Sequence, residues 1–273
     1  MLIFPTYQTL LAKTAATSSG GGGSSFSGVT TDLTTHWDFG NSSSYSGSGS
    51  TVTDLSGNGN HGTLQNTSNI SYSSNDGGHI ILDPSASSNY PYITRADTIK
   101  DIGTGDFTFE FWWNLSYDSS RANEGNTVLF RNVPLFSSPY TENVGVFVRN
   151  GKIRVSNWLT ASAATIGGSW TYIDSSTVYV DGYQSDYEHL VFTRIGTGNN
   201  NMKMYRNNSL VETWTNKAEY DDATETADHR VLSGNVSYFF GGKFAIYRLY
   251  VGTGLTSSEV TTNWNAQKSR FGH

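Results

Sequence analysis

The chain has 273 residues, 36% of them hydrophobic and 14% aromatic, and no cysteine, so disulfides, thiolate metal sites and cysteine nucleophiles are excluded and stability must come from packing. Lys and Arg number 17 against 23 Asp and Glu, a net charge of −6, with no basic run, which argues against nucleic acid and anionic membranes as partners. No stretch approaches the roughly 18 unbroken apolar residues that a membrane helix requires, so no membrane insertion is expected.

Residues 1–17 form a short apolar head. Leu2, Ile3, Phe4, Tyr7, Leu10 and Leu11 make a cluster too small to fold alone, while Pro5, Thr6, Gln8 and Lys13 break it and no basic region precedes it, which argues against a secretion signal. Residues 18–30 contain SSGGGGSSFSG, a Gly/Ser tether that favours no conformation. The head, residues 1–17, reads as a docking peptide, joined by the tether to a domain over residues 31–273, that attaches this domain to a larger assembly, for instance by strand addition to a partner's sheet edge. The alternative reading is a head that folds back and covers an edge or patch of its own domain.

From Leu33 onward, short runs of Val, Ile, Phe, Tyr, Trp and Thr alternate with Gly, Asn, Ser and Asp clusters, the pattern of an all-β sandwich or jelly roll. The run GNGNHG places Gly57, Gly59 and Gly62 at dinucleotide-fingerprint spacing, but no helix follows to hold a pyrophosphate, so it reads as a glycine-rich turn with His61 bound to backbone. Between Asp106 and Leu115, Phe107, Phe109, Phe111, Trp113 and Leu115 alternate with Thr108, Glu110, Trp112 and Asn114, which predicts a strand with its first set on the core. Val144 to Arg149 and Lys152 to Val155 flank Asn150-Gly151 and predict a hairpin. A meander follows: His189 to Ile195, Met202 to Arg206, and Ser209 to Trp214 after Asn207-Asn208. Lys243 to Val251 is apolar on both faces, with Phe244, Ile246 and Tyr250 assigned to one side and Ala245, Tyr247, Leu249 and Val251 to the other, so it predicts a central strand covered twice. One helix is predicted near the C-terminus, where Thr256 and Glu259 form a capping box and Val260 and Trp264 lie four residues apart.

Four segments in this order resemble the laminin-G-like branch of the concanavalin A-like lectin/glucanase superfamily: HWDFGN with VTDLSGNGNHGTL (His36 to Asn41, Val52 to Leu64), DFTFEFWWNLS (Asp106 to Ser116), HLVFTRIGTGNNNMKMYRNNSLVETW (His189 to Trp214), and FAIYRLYVGTGLTSSEVTTNWNAQKSRFG (Phe244 to Gly272). The D-x-S-G-x-x-N-x-G pattern is the most specific of these marks, together with the closing Tyr, Gly, Leu, Ser, Glu and helix. The resemblance implies a two-sheet antiparallel jelly-roll sandwich with one short C-terminal helix. The short apolar head and the ending NWNAQKSRFG also look like modules carried by marine bacteriophage virion proteins, which implies a multi-copy, virion-surface location with other capsid or tail proteins as partners.

The superfamily's glucanases carry E-x-D-x-x-E on one strand, and retaining hydrolysis needs two carboxyls about 5 to 5.5 Å apart. This sequence offers Glu110 alone on the corresponding strand, which reads as an acid paired with an arginine across the sheet. No enzyme is expected. The acidic run EYDDATETADH, with Glu219, Asp221, Asp222, Glu225, Asp228 and His229, supplies oxygen ligands for calcium in a superfamily that often carries it at loop rims; Asp221, Asp222 and Asp228 are the candidate ligands, and a solvated loop is the competing reading. Tyr90, Tyr92, Trp158, Trp170 and Tyr172 are the candidate glycan-stacking rings, against the competing reading that they fill the core. The function expected is a non-enzymatic virion decoration or fibre-type protein that binds host-surface glycans, and the alternative is a secreted or cell-surface lectin-like adhesion module that uses calcium.

Overall fold

The computed structural model describes residues 26–83, 91–95, 106–115, 127–132, 144–149, 152–159, 169–174, 186–196, 202–214, 229–232 and 241–273. These residues form sixteen strands in two antiparallel sheets and one short C-terminal helix, the expected sandwich.

The first sheet is built on a long central strand, β16 (Gly242–Val251). On one side of it lie β7 (Phe107–Leu115), β12 (Glu188–Arg194), β13 (Met202–Arg206) and β14 (Ser209–Trp214). Its other side is divided. β5 (His79–Leu82), followed by β4 (Ile70–Ser73), pairs with Gly242 to Phe244, and β1 (Leu33–Asp38) pairs with Ile246 to Tyr250. The second sheet runs β11 (Ser169–Asp174), β10 (Lys152–Leu159), β9 (Val144–Arg149), β8 (Thr127–Asn132), β15 (His229–Val231), β6 (Tyr92–Arg95), β3 (Gly62–Gln65) and β2 (Thr51–Val52).

Both predicted strand pairs, β9–β10 and β13–β14, form, the second with an irregularity between Met204 and Tyr205. Arg149 pairs with Lys152 in the β9–β10 ladder, as predicted, while the turn residues Asn150 and Gly151 lie outside the described residues. Asn207 and Asn208 have φ of 48° and 66°, so both central residues of the β13–β14 turn take the left-handed conformation that a type I′ turn demands.

The core between the sheets is filled from the first sheet by Phe107, Phe109, Phe111, Trp113, Leu190, Phe192, Phe244, Tyr247 and Leu249, which meet Val52, Leu64, Ile93 and Val231 from the second. One assignment made from the sequence is corrected here. Phe244 lies with Tyr247 and Leu249, and Ala245 joins Ile246 on the other side, because a bulge between Phe244 and Ile246 inserts one residue into the ladder with β7.

The outer face of the first sheet is buried as well. Helix α1 (Ser257–Gln267) lies over it, with Val260 packed on Tyr250, Val191 and Leu255, and Trp264 packed on Trp112, Ala245 and Ile246. Its capping box forms as predicted: Thr256 Oγ1 accepts from Glu259 N–H while the Glu259 carboxylate accepts from Thr256 N–H. Phe26 and Val29, in the stretch read as tether, also pack on this face. Consequently Thr108, Glu110 and Trp112 are fully buried although they alternate with the core set of β7. Thr108 Oγ1 bonds Thr193 and accepts from Leu255 N–H at 2.8 Å, which fixes the loop leading into α1.

Candidate functional site

The loop carrying D-x-S-G-x-x-N-x-G is organised by one carboxylate. Asp54 Oδ1 accepts from His36 N–H at 2.8 Å and Ser56 N–H at 2.9 Å, and Oδ2 accepts from Ser56 Oγ at 2.6 Å and Asn60 N–H at 3.0 Å. Asn60 donates from Nδ2 to Thr34 O and accepts from Trp37 Nε1, so the loop is stitched along β1. Gly62 lets the loop pass close to the core, since a Cβ there would lie 3.0 Å from the Trp37 ring and 3.1 Å from Ile93. His61 Nδ1 accepts from Asp54 N–H, the turn-histidine role expected of it. With its carboxylate and amide consumed in this way, the motif is a structural clamp.

Glu110 is the one acid on β7. The register sets it directly opposite Arg248 of β16, and His189 on β12 lies diagonally beside it. Its Oε1 accepts from Arg248 Nη1 at 2.6 Å and from His189 Nε2 at 2.9 Å, and its Oε2 accepts from Asn263 Nδ2 of α1 at 2.7 Å. Burial pushes this carboxyl up, but the Arg248 charge, followed by the bonds and charge from His189 and the Asn263 amide, outweighs burial and holds it at about 2. Asn263 Nδ2 also donates to Tyr250 Oη at 2.9 Å, and burial together with the Glu110 charge raises the Tyr250 hydroxyl far above its usual range, so it remains a donor. Trp112 then shields the cluster, stacked on His189 at 4.8 Å, Trp264 at 5.3 Å and Phe271 at 4.3 Å. Both of its oxygens are thus committed, and the carboxylate is fully buried beneath α1. The expected Arg partner is found, whereas Asn263 and His189 were not anticipated. Asn263 lies three residues after Val260 and one before Trp264, a spacing that puts it on the helix's buried stripe.

The C-terminus is fastened to the same face. Arg270 Nη1 bonds both Asp38 oxygens, at 2.7 and 2.9 Å, and Nη2 donates to Gly78 O. His273 Nε2 meets Tyr187 O at 2.7 Å.

Of the candidate glycan-binding rings, Tyr92 is half-buried on β6, opposite Gln65 of β3. Around it, Thr51 and Thr63 are exposed and Gln65 Nε2 donates to Thr94 Oγ1, so this part of the second sheet's outer face is polar and faces solvent. Trp158 and Trp170 occupy directly opposed positions of β10 and β11, and Tyr172 lies opposite Ser156. β10 and β6 are four strands apart in the sheet, about 19 Å at ordinary strand spacing, so the β10–β11 ribbon and Tyr92 are separate places. Tyr90, the head residues Leu2, Ile3, Phe4, Tyr7, Leu10 and Leu11, and the calcium candidates Asp221, Asp222 and Asp228 lie outside the described residues. Among the described residues no three His, Asp or Glu side chains are grouped to hold a metal ion.

No protein-family model and no curated protein matches the sequence. Solved structures share its fold. The binding domain of Paraclostridial Mosquitocidal Protein 1 aligns with a TM-score of 0.61 at 15% identity, over 87% of this chain and 52% of that one. Domain 4 of AbnA, an extracellular GH43 arabinanase from Geobacillus stearothermophilus solved in complex with arabinotriose, aligns at 0.57 and 18%, over 85% and 98%. The botulinum neurotoxin serotype D binding domain aligns at 0.61 and 12%, over 88% and 53%. This chain thus spans about half the length of the toxin domains and nearly all of the arabinanase domain. The class these structures and the topology define is a two-sheet antiparallel β-sandwich with one short C-terminal helix.

Proposed function

We propose that this chain is a non-catalytic binding module that recognises glycans through the second sheet and its edges. The observation that carries the reading is the fate of Glu110, whose carboxylate is committed to Arg248, His189 and Asn263 on a face sealed by α1. With that face covered, the second sheet is the surface proposed for the ligand, and the β10–β11 ribbon that carries Trp158, Trp170 and Tyr172 is the proposed place for stacking on sugar C–H faces. The alignment, over 85% of this chain, with an arabinanase domain solved in complex with arabinotriose supports a sugar as ligand.

In its finer form, the proposal places the module on a bacteriophage virion surface in multiple copies, attached through residues 1–17. The apolar head, the Gly/Ser tether and the resemblance of the chain's ending support this location. Deleting residues 1–25 tests it: the protein should stay folded with a near-unchanged melting temperature and no longer join particles. Retained incorporation would overturn the attachment. A glycan array, with reducing-end release measured on every ligand that binds, tests the binding role, and product release would overturn the non-catalytic reading.

A further inference from the structure

Phe26 to Val29 lie across the outer face of the first sheet, over a charged row that three strands place side by side. His36 on β1 pairs with Arg248 on β16, and Arg248 pairs with Glu110 on β7. All three side chains are buried. Asn263 roofs the Glu110 end from α1, and the roof over the other end is Phe26, whose ring centre is 3.7 Å from the Arg248 guanidinium carbon and 5.1 Å from the His36 ring.

The segment is held by its backbone. Val29 N–H donates to Asn263 Oδ1 at 2.8 Å, and Val29 O accepts from Tyr250 Oη at 3.0 Å. Asn263 is therefore shared between the clasped segment and the buried acid. Gly28 permits the close approach, since a Cβ there would collide with the Phe26 ring and Asn263 Oδ1. Phe26 and Val29 are only half-buried, whereas everything beneath them is closed.

Beneath Phe26, Arg248 Nε and Nη2 and His36 Nε2 are buried without a hydrogen-bond partner among the described residues. The one negative charge in the row, Glu110, is already matched by Arg248. A proton on His36 would put a second cation beside Arg248 with no carboxylate left to balance it. Lifting Phe26 admits water to both.

We propose that Phe26–Val29 is an acid-released clasp: protonation of His36 opens it and frees the N-terminal segment while the sandwich beneath stays folded. Burial first, and then the Arg248 charge, hold His36 well below the usual histidine range; Glu110 pulls the other way and Arg270, paired with Asp38, adds to the lowering. Asp54 engages His36 through its backbone N–H, and the exposed His61 bonds the backbone of the same loop. His189 also faces the row, from β12, with its Nε2 donating to Glu110 at 2.9 Å. The closed clasp carries a neutral His36 and the open clasp a protonated one. Closure is therefore favoured at neutral pH and weakens as the pH falls, by at most about tenfold in population for each pH unit below the value His36 takes in the open clasp.

Hydrogen exchange on the full chain, corrected for intrinsic rates, reads this directly. Between about pH 7.5 and about pH 5, protection at Val29 should fall at least about tenfold while Phe109 and Leu249 keep theirs. His36→Gln should keep Val29 protected at both pH values, and Phe26→Ala should leave it open at both. Unchanged Val29 protection in the wild type, or an equal loss in His36→Gln, would overturn the proposal. If that variant does not fold, an NMR titration of the wild type decides: the His36 ring and the Val29 amide must titrate with one midpoint, and distinct midpoints refute the coupling.

Discussion

Replacing Glu110 with glutamine tests the keystone role assigned to this buried carboxylate. The variant preserves size and keeps an oxygen for His189 or Asn263, but it removes the charge that balances Arg248 at 2.6 Å, with both side chains at 0% exposure. Leaving one member of a buried pair uncompensated costs about 3 to 5 kcal/mol. The carboxyl's displacement from 4.5 to about 2 gives an independent figure of about 3 kcal/mol for the charged form's advantage. For a domain of this size the loss lowers the melting temperature by roughly 6 to 20 °C. Because the folded-state value is depressed, this stability is fully present above about pH 4.5 and is lost as the pH falls toward 2, so the wild type should weaken across that window and Glu110→Gln should not. Urea unfolding at neutral and acidic pH provides the assay. Removing both charges, as Glu110→Leu with Arg248→Met, should recover part of the loss. A single variant within about 0.5 kcal/mol of wild type, the range of an ordinary surface substitution, would show that the network does not hold the helix face together.

Three further outcomes follow from the same packing. Phe109→Ala and Phe111→Ala should each cost about 3 to 5 kcal/mol as core truncations; Thr108→Ala, on the opposite but equally buried face, should cost about 1 to 3 kcal/mol because Leu255 N–H loses its acceptor, and denaturant unfolding of the three variants measures the ranking. Thr256→Ala should remove about 1 kcal/mol by opening the capping box, read as a shifted urea midpoint with an unchanged slope. On any glycan the wild type binds, Trp158→Ala should weaken affinity at least tenfold and Tyr92→Ala much less, the two lying about 19 Å apart; isothermal titration separates them.

The β7 alternation, the Asn207-Asn208 turn and the capping box were legible because each is a local rule with a short sequence signature. Glu110's partner was legible in kind, since a lone acid between apolar neighbours on a strand needs a cross-strand cation. Its burial was not. That depends on Asn263 and Phe26 arriving from opposite ends of the chain, 153 positions and 84 positions away in sequence respectively. The displaced face of Phe244 was hidden for another reason: in β16 both faces are apolar, so alternation carries no information about a one-residue bulge. Phe26 had a readable signal, the single ring in SSGGGGSSFSG, but a Gly/Ser background argues for a tether until the site that receives the ring is known. Trp158, Trp170 and Tyr172 could be named from composition, yet their placement on one ribbon emerges only from the β10–β11 register.

The central claim is that this sandwich binds sugars without cutting them. The most direct measurement presents the intact protein to a glycan array and assays each bound glycan for new reducing ends over prolonged incubation. The account predicts saturable binding that Trp158→Ala weakens, with no product formed by wild type or by Glu110→Gln. New reducing ends from the wild type, abolished in Glu110→Gln, or no binding to any glycan on the array, would contradict it.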